Sequence, residues 1–297
     1  MKNPLILYPY LLLFLLACHV VKNNPHEEEW ISLFNGADLS GWEPKIAGFE
    51  AGENYKHTFL VEDSILKINY QEYDSFHTEY GHLYYHQPFS YYKLRLEYRF
   101  VGKQVPGGAP WNVRNSGVML HSQSAQEQGL HQHFPVSVEM QFLGGLGSGE
   151  RPTANLCTPG TMVEMQGKLV RDHCINSRSK TFHGDQWVSV EAIVLGDSVL
   201  HHLVGTDTVL SYSHPQIDAI FVNAENYNWE QANVPHAQNW PKREGERLTS
   251  GHIALQAESH PIHFRHIRLL NLKGCMDPKA RNYKSYYLKA DPSACVY

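Results

Sequence analysis

The sequence of 297 residues predicts an all-β sandwich. Three observations carry this. Between Trp30 and Leu272 no stretch repeats its apolar residues with helical spacing. Short runs rich in Val, Ile, Tyr and Phe recur instead, at 59–63, 65–70, 91–100, 116–122, 136–143, 168–172, 186–195, 198–204, 208–213, 251–257 and 263–272. Clusters of Gly, Pro, Asn and Asp separate them, and the segments at 63–66 and 196–199 read as hairpin turns. So many short strands fit one two-sheet domain better than two domains. The segments 144–165 and 223–249 show no strand pattern and read as long loops.

Composition sets the outer bounds. Apolar residues make up 42% and glycine numbers 22, a globular balance that excludes a disordered or collagen-like chain. Lys and Arg total 25 against 30 Asp and Glu, a net charge of −5, so there is no basic footprint for nucleic acid.

The N-terminus reads as a leader. Met1-Lys2 precedes the apolar run 5–17, which is too short for a membrane span of about 20 residues and fits a secretory signal. It ends Leu15-Leu16-Ala17-Cys18, which resembles a bacterial lipobox. That reading assigns 1–17 to a signal, lipid to Cys18, 18–29 to a tether, 30–272 to the body and 273–297 to a tail. An ordinary signal with an incidental Cys18 is the alternative. The expected location is the cell envelope, lipid-anchored to the outer membrane and facing periplasm or surface. The count of five cysteines then resolves. With Cys18 lipidated, four remain for an oxidising compartment, and local pairing gives Cys157–Cys174 and Cys275–Cys295. A nucleophilic Cys157 assisted by His173 has no supporting motif.

Alternation along strands selects candidate functional side chains. In 136–143, Val136, Val138, Met140 and Phe142 form the core face, leaving Glu139 and Gln141 opposite. In 116–122, His121 falls with Gly117 and Met119, away from Val118 and Leu120. In 251–258, Gln256 and Glu258 oppose Ile253 and Leu255. Three strands thus offer polar groups on one face, as would line a groove, and Arg114-Asn115 leads into one of them.

Several motifs in order resemble the 3-keto-disaccharide hydrolase family (DUF1080). They are WISLFNGADLSGW at 30–42, RNSGVML at 114–120, VSVEMQFLGG at 136–145, DQWVSVEAIVLGDSVLHHLVG at 185–205 and GHIALQAESHPIHFRHIRLLNL at 251–272. The resemblance implies a concanavalin A-like jelly-roll sandwich and a carbohydrate-active enzyme. The block at 151–177 departs from the commoner family pattern. The tail at 274–297 resembles a small Cys-bounded appendage of Bacteroidetes surface proteins, and a stapled tail outweighs a cation held by Asp277 and Asp291.

The implied reaction sets the expected roles. A ketone at C3 of a glycoside acidifies the C2 proton, and its removal lets the C1 substituent leave by elimination. Water then adds to give net hydrolysis. Such a site needs a base and donors for the enolate oxygen, but not two paired carboxylates. Glu139 is the expected base or a metal ligand. Arg114 would stabilise the enolate, His121 would be the alternate acid or base, and Asn115 and Gln141 would bind hydroxyls. Gln256 and Glu258 would close the groove. For a metal, His131-x-His133, His183-x-Asp185 and His201-His202 lack a strong zinc spacing, so any divalent cation, calcium or a transition metal, is left unassigned. The competing class is a glycan-binding lipoprotein, with Trp111, Tyr227, Trp229 and Trp240 as stacking aromatics.

Overall fold

The computed structural model describes residues 24–223 and 227–297, so the expected signal, Cys18 and the first part of the tether lie outside the described residues. Two antiparallel sheets face each other. One has ten strands, in the order Lys168–Val170, Thr161–Met165, Asp207–Ile217, Val199–Val204, Val188–Leu195, Tyr91–Phe100, Ile262–Asn271, Ile65–Ile68 and Phe59–Glu62, with Ile31–Ser32 also pairing Ile262–Asn271. The other has seven, in the order Cys174–Ile175, Asn155–Cys157, Val138–Leu143, Asn115–Ser122, His252–Ala257, Gly81–Tyr85 and Trp42–Ile46. The expected all-β sandwich is therefore present.

The core lies between the sheets. Val118, Leu120, Val138, Met140, Phe142, Ile253 and Leu255 meet Leu94, Leu96, Tyr98 and Phe264 of the opposite sheet. Tyr98 and Phe142 stack across the gap with centroids 4.4 Å apart. Alternation placed Val138, Met140 and Phe142 correctly, because both faces of their strand are constrained. Val136 differs. It precedes the strand and packs in a smaller cluster with Ile217, Phe221, Trp229 and Val234.

Two strands, Asn155–Cys157 and Thr161–Met165, fall in the stretch expected to be a loop. They are short and bounded by Gly and Pro, so they carry too few alternations to read. Trp42–Ile46 was also hidden, by Pro44, which is tolerated because this strand is the sheet edge. The 223–249 stretch holds only the 3-10 turn Ala237–Arg243 among its described residues.

Both expected disulfides form, Cys157–Cys174 and Cys275–Cys295. The second staples the tail, which adds a two-strand parallel ladder of Lys273–Gly274 with Lys289–Ala290. Asp277 accepts from the Lys279 amide and the Tyr297 hydroxyl, each at 2.9 Å, and Asp291 lies 3.7 Å from Lys273. The tail also grips the start of the described chain. Ser285 N–H donates to the Pro25 carbonyl at 2.8 Å, and Lys284 pairs with Glu29.

Candidate functional site

The outward face of the seven-stranded sheet supplies the site. Register fixes who sits beside whom. Glu139 is opposite Cys157 on one side and Met119 on the other, and Gln141 is opposite Asn155 and Gly117. Gln256 is opposite His82, and His82 is opposite Lys45. Because side chains on one face of a sheet line up across strands, Asn155, Gln141, Gly117, Gln256, His82 and Lys45 form one polar row.

Gly117 is the gap in that row. A Cβ built there would lie 2.8 Å from Glu139 Cγ and 2.9 Å from Cδ. The Glu139 side chain therefore lies flat across the glycine, towards Gln256. A glycine inside a strand here marks close approach of another group, not a turn.

Glu139, only 6% exposed, forms part of the wall of a cavity of about 480 Å³. Gln141 of the same strand, Asn115 of the neighbouring strand and Glu258, just past the strand His252–Ala257, line it too. Trp111, Phe134, Leu146, Arg151 and His173 complete much of the wall. Burial pushes the Glu139 carboxyl up to about 8, against a smaller downward pull from the Gln256 amide. Asn155 Nδ2 donates to Gln141 Oε1 at 3.1 Å and fixes that amide. Asn115 Oδ1 is buried without a hydrogen-bond partner among the described residues, an acceptor facing a cavity that its own residue lines.

The structure brings together Glu139, Gln141, Asn115 and Glu258, with Gln256 beside Glu139. It does not bring Arg114 or His121 to them. Arg114 has φ +50°, packs over Phe100 and donates to the Gly184 carbonyl. Arg151 stands in the cavity wall instead, donating to the Gly144 carbonyl at 2.7 Å and the Arg114 carbonyl at 3.3 Å. Sequence reasoning missed Arg151 because it sits in an irregular loop with no periodicity to assign its direction. His121 also has φ +50°, at an irregularity in the pairing with His252–Ala257. A bulge adds a residue and breaks alternation. The ring thereby turns to the opposite sheet, 3.0 Å from the Gly196 carbonyl and edge-on to Tyr92. Burial holds it neutral, down to about 4.

His121 lines a different and larger cavity, about 770 Å³, with Trp240, Arg243, Glu246 and His252. Size does not favour it as the reacting centre. Its Glu246 is paired with Arg243 at 2.7 Å, and Trp240 is covered by Trp229 on one side and Arg243 on the other. Of these two cavities, the smaller places a buried carboxyl, its pKa raised by burial, beside the side-chain amides of Asn115 and Gln141.

The proposed metal pairs do not gather further ligands. His183 Nδ1 accepts from the Gly147 amide at 3.1 Å, and Asp185 lies 3.3 Å from Arg99. His202 is buried, with its nitrogens 3.1 Å from the Ala154 carbonyl and 3.0 Å from the Tyr212 hydroxyl, while His201 faces outward to Ser211. His133 packs against Tyr80, with centroids 4.9 Å apart. Among the described residues, the His, Cys, Asp and Glu side chains that come within 4.8 Å of one another as a set of three are Cys157, His173 and Cys174. Their two sulfurs are bonded to each other, so they hold no thiolate for a metal.

A β-sandwich with a polar cavity on one sheet face, floored by a buried carboxyl among amides, is the arrangement of a carbohydrate-active protein. The chain belongs to the family of the 3-keto-α-glucoside-1,2-lyase-like domain, which it matches over residues 29–270. Among solved structures it resembles a candidate glycosyl hydrolase from Parabacteroides distasonis, at 17% identity over 82% of this chain and 94% of that one, with a TM-score of 0.46. It also resembles a β-glucanase from Bacillus licheniformis, at 9% identity over 84% of this chain and 100% of that one, with a TM-score of 0.43. No curated protein matches the sequence significantly.

Proposed function

We propose that this protein cleaves 3-keto-glycosides at the C1–oxygen bond by elimination. The observation that carries this is Glu139, a buried carboxyl laid over Gly117 in a cavity whose wall also holds the amides of Asn115 and Gln141, a second carboxyl, Glu258, the Arg151 guanidinium and the Trp111 ring. Ionised Glu139 removes the C2 proton. The electron pair moves into a C2–C3 double bond and charge collects on the C3 oxygen, for which Arg151 of the cavity wall supplies the positive charge, while the Asn115 Oδ1 accepts from a sugar hydroxyl. Collapse of that enolate restores the ketone, forms a C1–C2 double bond and breaks the bond from C1 to the leaving oxygen. Glu258 gives that oxygen its proton. Water adding at C1 of the unsaturated ketone then yields net hydrolysis.

Trp111, 36% exposed at the mouth, supplies a face for the departing group. The same feature favours a glycan binder as the second reading. A chromogenic 3-keto-glucoside separates the two. The enzyme releases chromophore, and Glu139→Gln lowers kcat by about a hundredfold or more. Full turnover by that variant removes Glu139 from the chemistry, and retention of the glycoside without release selects the binder. A chelator arm reads any need for a divalent cation.

We also propose the cell envelope as its location, with lipid on Cys18. The leader pattern and the two disulfides support this. Loss of membrane association in Cys18→Ser tests it.

A further inference from the structure

The larger cavity takes no part in the proposed reaction, yet a buried polar group lines it. It shares no lining residue with the smaller one. The strand Asn115–Ser122 lends Asn115 to the smaller cavity and His121 and Ser122 to the larger. Gly251 and His252 adjoin them, and the segment from Pro235 to Ser250 supplies much of the remaining wall. Its volume of about 770 Å³ falls within the range of about 300–1,000 Å³ that ligand pockets occupy.

His121 gives this cavity a demand for a ligand. Its side chain is buried, and Nε2 lies 3.0 Å from the Gly196 carbonyl, a group that can only accept. Nε2 therefore carries the proton. Burial keeps the ring neutral, so Nδ1 holds a lone pair and no proton. That Nδ1 is buried and has no hydrogen-bond partner among the described residues. A buried acceptor left unpaired costs about 1–3 kcal/mol, so it calls for a donor. The backbone holds the ring in this place. A Cβ at Gly251 would collide with the His121 backbone, and the glycine lets the neighbouring strand close on that left-handed residue.

The wall sets the kind of donor. Its acidic and basic residues are Glu127, Arg243, Glu246 and Arg247, two of each sign, and all are engaged. Arg243 pairs with Glu246 at 2.7 Å and Arg247 with Glu164 at 3.2 Å, while Glu127 accepts from the Ser124 amide at 2.8 Å. A carboxylate has no proton to give Nδ1 and finds both arginines paired. A cation finds both glutamates occupied. The amides of Gln123, Gln126 and Asn239 and the hydroxyl of Thr249 suit a neutral, hydroxyl-rich partner. We propose that the larger cavity is a second carbohydrate-binding site, which holds a neutral sugar by its hydroxyl groups, one of them donating to His121 Nδ1. Both faces of Trp240 are covered, so the sugar is held by hydrogen bonds and not by stacking. The site needs no ketone on the sugar, so it retains glycan that the smaller cavity does not cleave.

The test titrates the protein with methyl glucoside, maltotriose and cellotriose, and with glucuronate as the charged control. It reads the ring nitrogen resonances of His121 and the indole N–H resonances of Trp240 and Trp111, one indole for each cavity. At least one neutral sugar should shift His121 Nδ1 and Trp240 saturably, and glucuronate should bind more weakly than methyl glucoside. His121→Phe, which keeps a ring and removes the acceptor, should weaken binding at Trp240 by about tenfold, the loss expected for one buried hydrogen bond. His121→Gln, which keeps an acceptor, should recover part of it. Shifts confined to Trp111, or none with any sugar, overturn the second site, and unchanged affinity in His121→Phe removes His121 from it. Glucuronate binding as tightly as methyl glucoside overturns the neutral class. None of these sugars carries a ketone, so failure of the elimination reaction leaves this result untouched. Where His121→Phe does not fold, the titration of wild type decides.

Discussion

Glu139 carries an opposite sign to most acids in its effect on stability. Its proton stays on in the folded chain up to about 8, whereas an ordinary glutamate gives it up near 4.5. Between those values the folded state binds the extra proton, so this residue's stabilisation is whole below 4.5 and is lost as pH climbs through 8. Glu139→Gln should therefore melt a few degrees above wild type at pH 8 and close to it at pH 4.5. Equal melting temperatures at both pH values would contradict a buried ionisable carboxyl. The same titration governs rate. If the ionised form takes the C2 proton, kcat/KM rises with pH up to about 8 and then levels. A profile that falls over this range assigns Glu139 the acid role.

At the scale of elements, the strand Asn115–Ser122 shows both the reach and the limit of reading a sequence. Period-two alternation correctly placed Gly117, Glu139, Gln141 and Gln256 on one face, because both faces of these strands are committed. His121 could not be placed that way. Its left-handed backbone reflects the pairing irregularity beside His252, and nothing in a single sequence marks which residue bulges. Arg114 was misdirected because its own backbone is left-handed, with φ +50° just before the strand. His82 was not singled out because its strand, Gly81–Tyr85, went unread. The edge pair Asn155–Cys157 and Cys174–Ile175 makes a separate point. Its disulfide holds residues 17 apart in sequence, directly opposite Glu139 in register. Replacing both Cys157 and Cys174 by Ser should cost about 3 kcal/mol in urea unfolding. It should also raise KM, because Cys157, His173 and Cys174 all line the cavity. A stability loss with unchanged KM would confine the bridge to a structural part.

Six of the 19 histidines act together at the scale of the molecule. Burial lowers His82 to about 3, and His121, His173, His202, His260 and His263 to about 4. Each is neutral in the folded state where the unfolded chain would take up a proton near 6.5. Their stabilisation is complete above that value and is lost as pH falls towards 4. Six such groups outweigh the reverse trend of Glu139. The melting temperature should fall steeply from pH 6.5 to 4, and a flat profile there would show that these rings reach solvent when protonated.

The glycine beneath Glu139 also ties two positions together in inheritance. Any side chain at 117 collides with the carboxylate arm, so the residues at 117 and 139 cannot drift independently. Gly117→Ala alone should abolish turnover in a folded protein. Adding Glu139→Asp, one methylene shorter, should restore part of it, a reciprocal rescue in which the double variant outperforms either single change. Descendants of this chain that abandon glycine at 117 would be expected to have shortened or relocated their acid first.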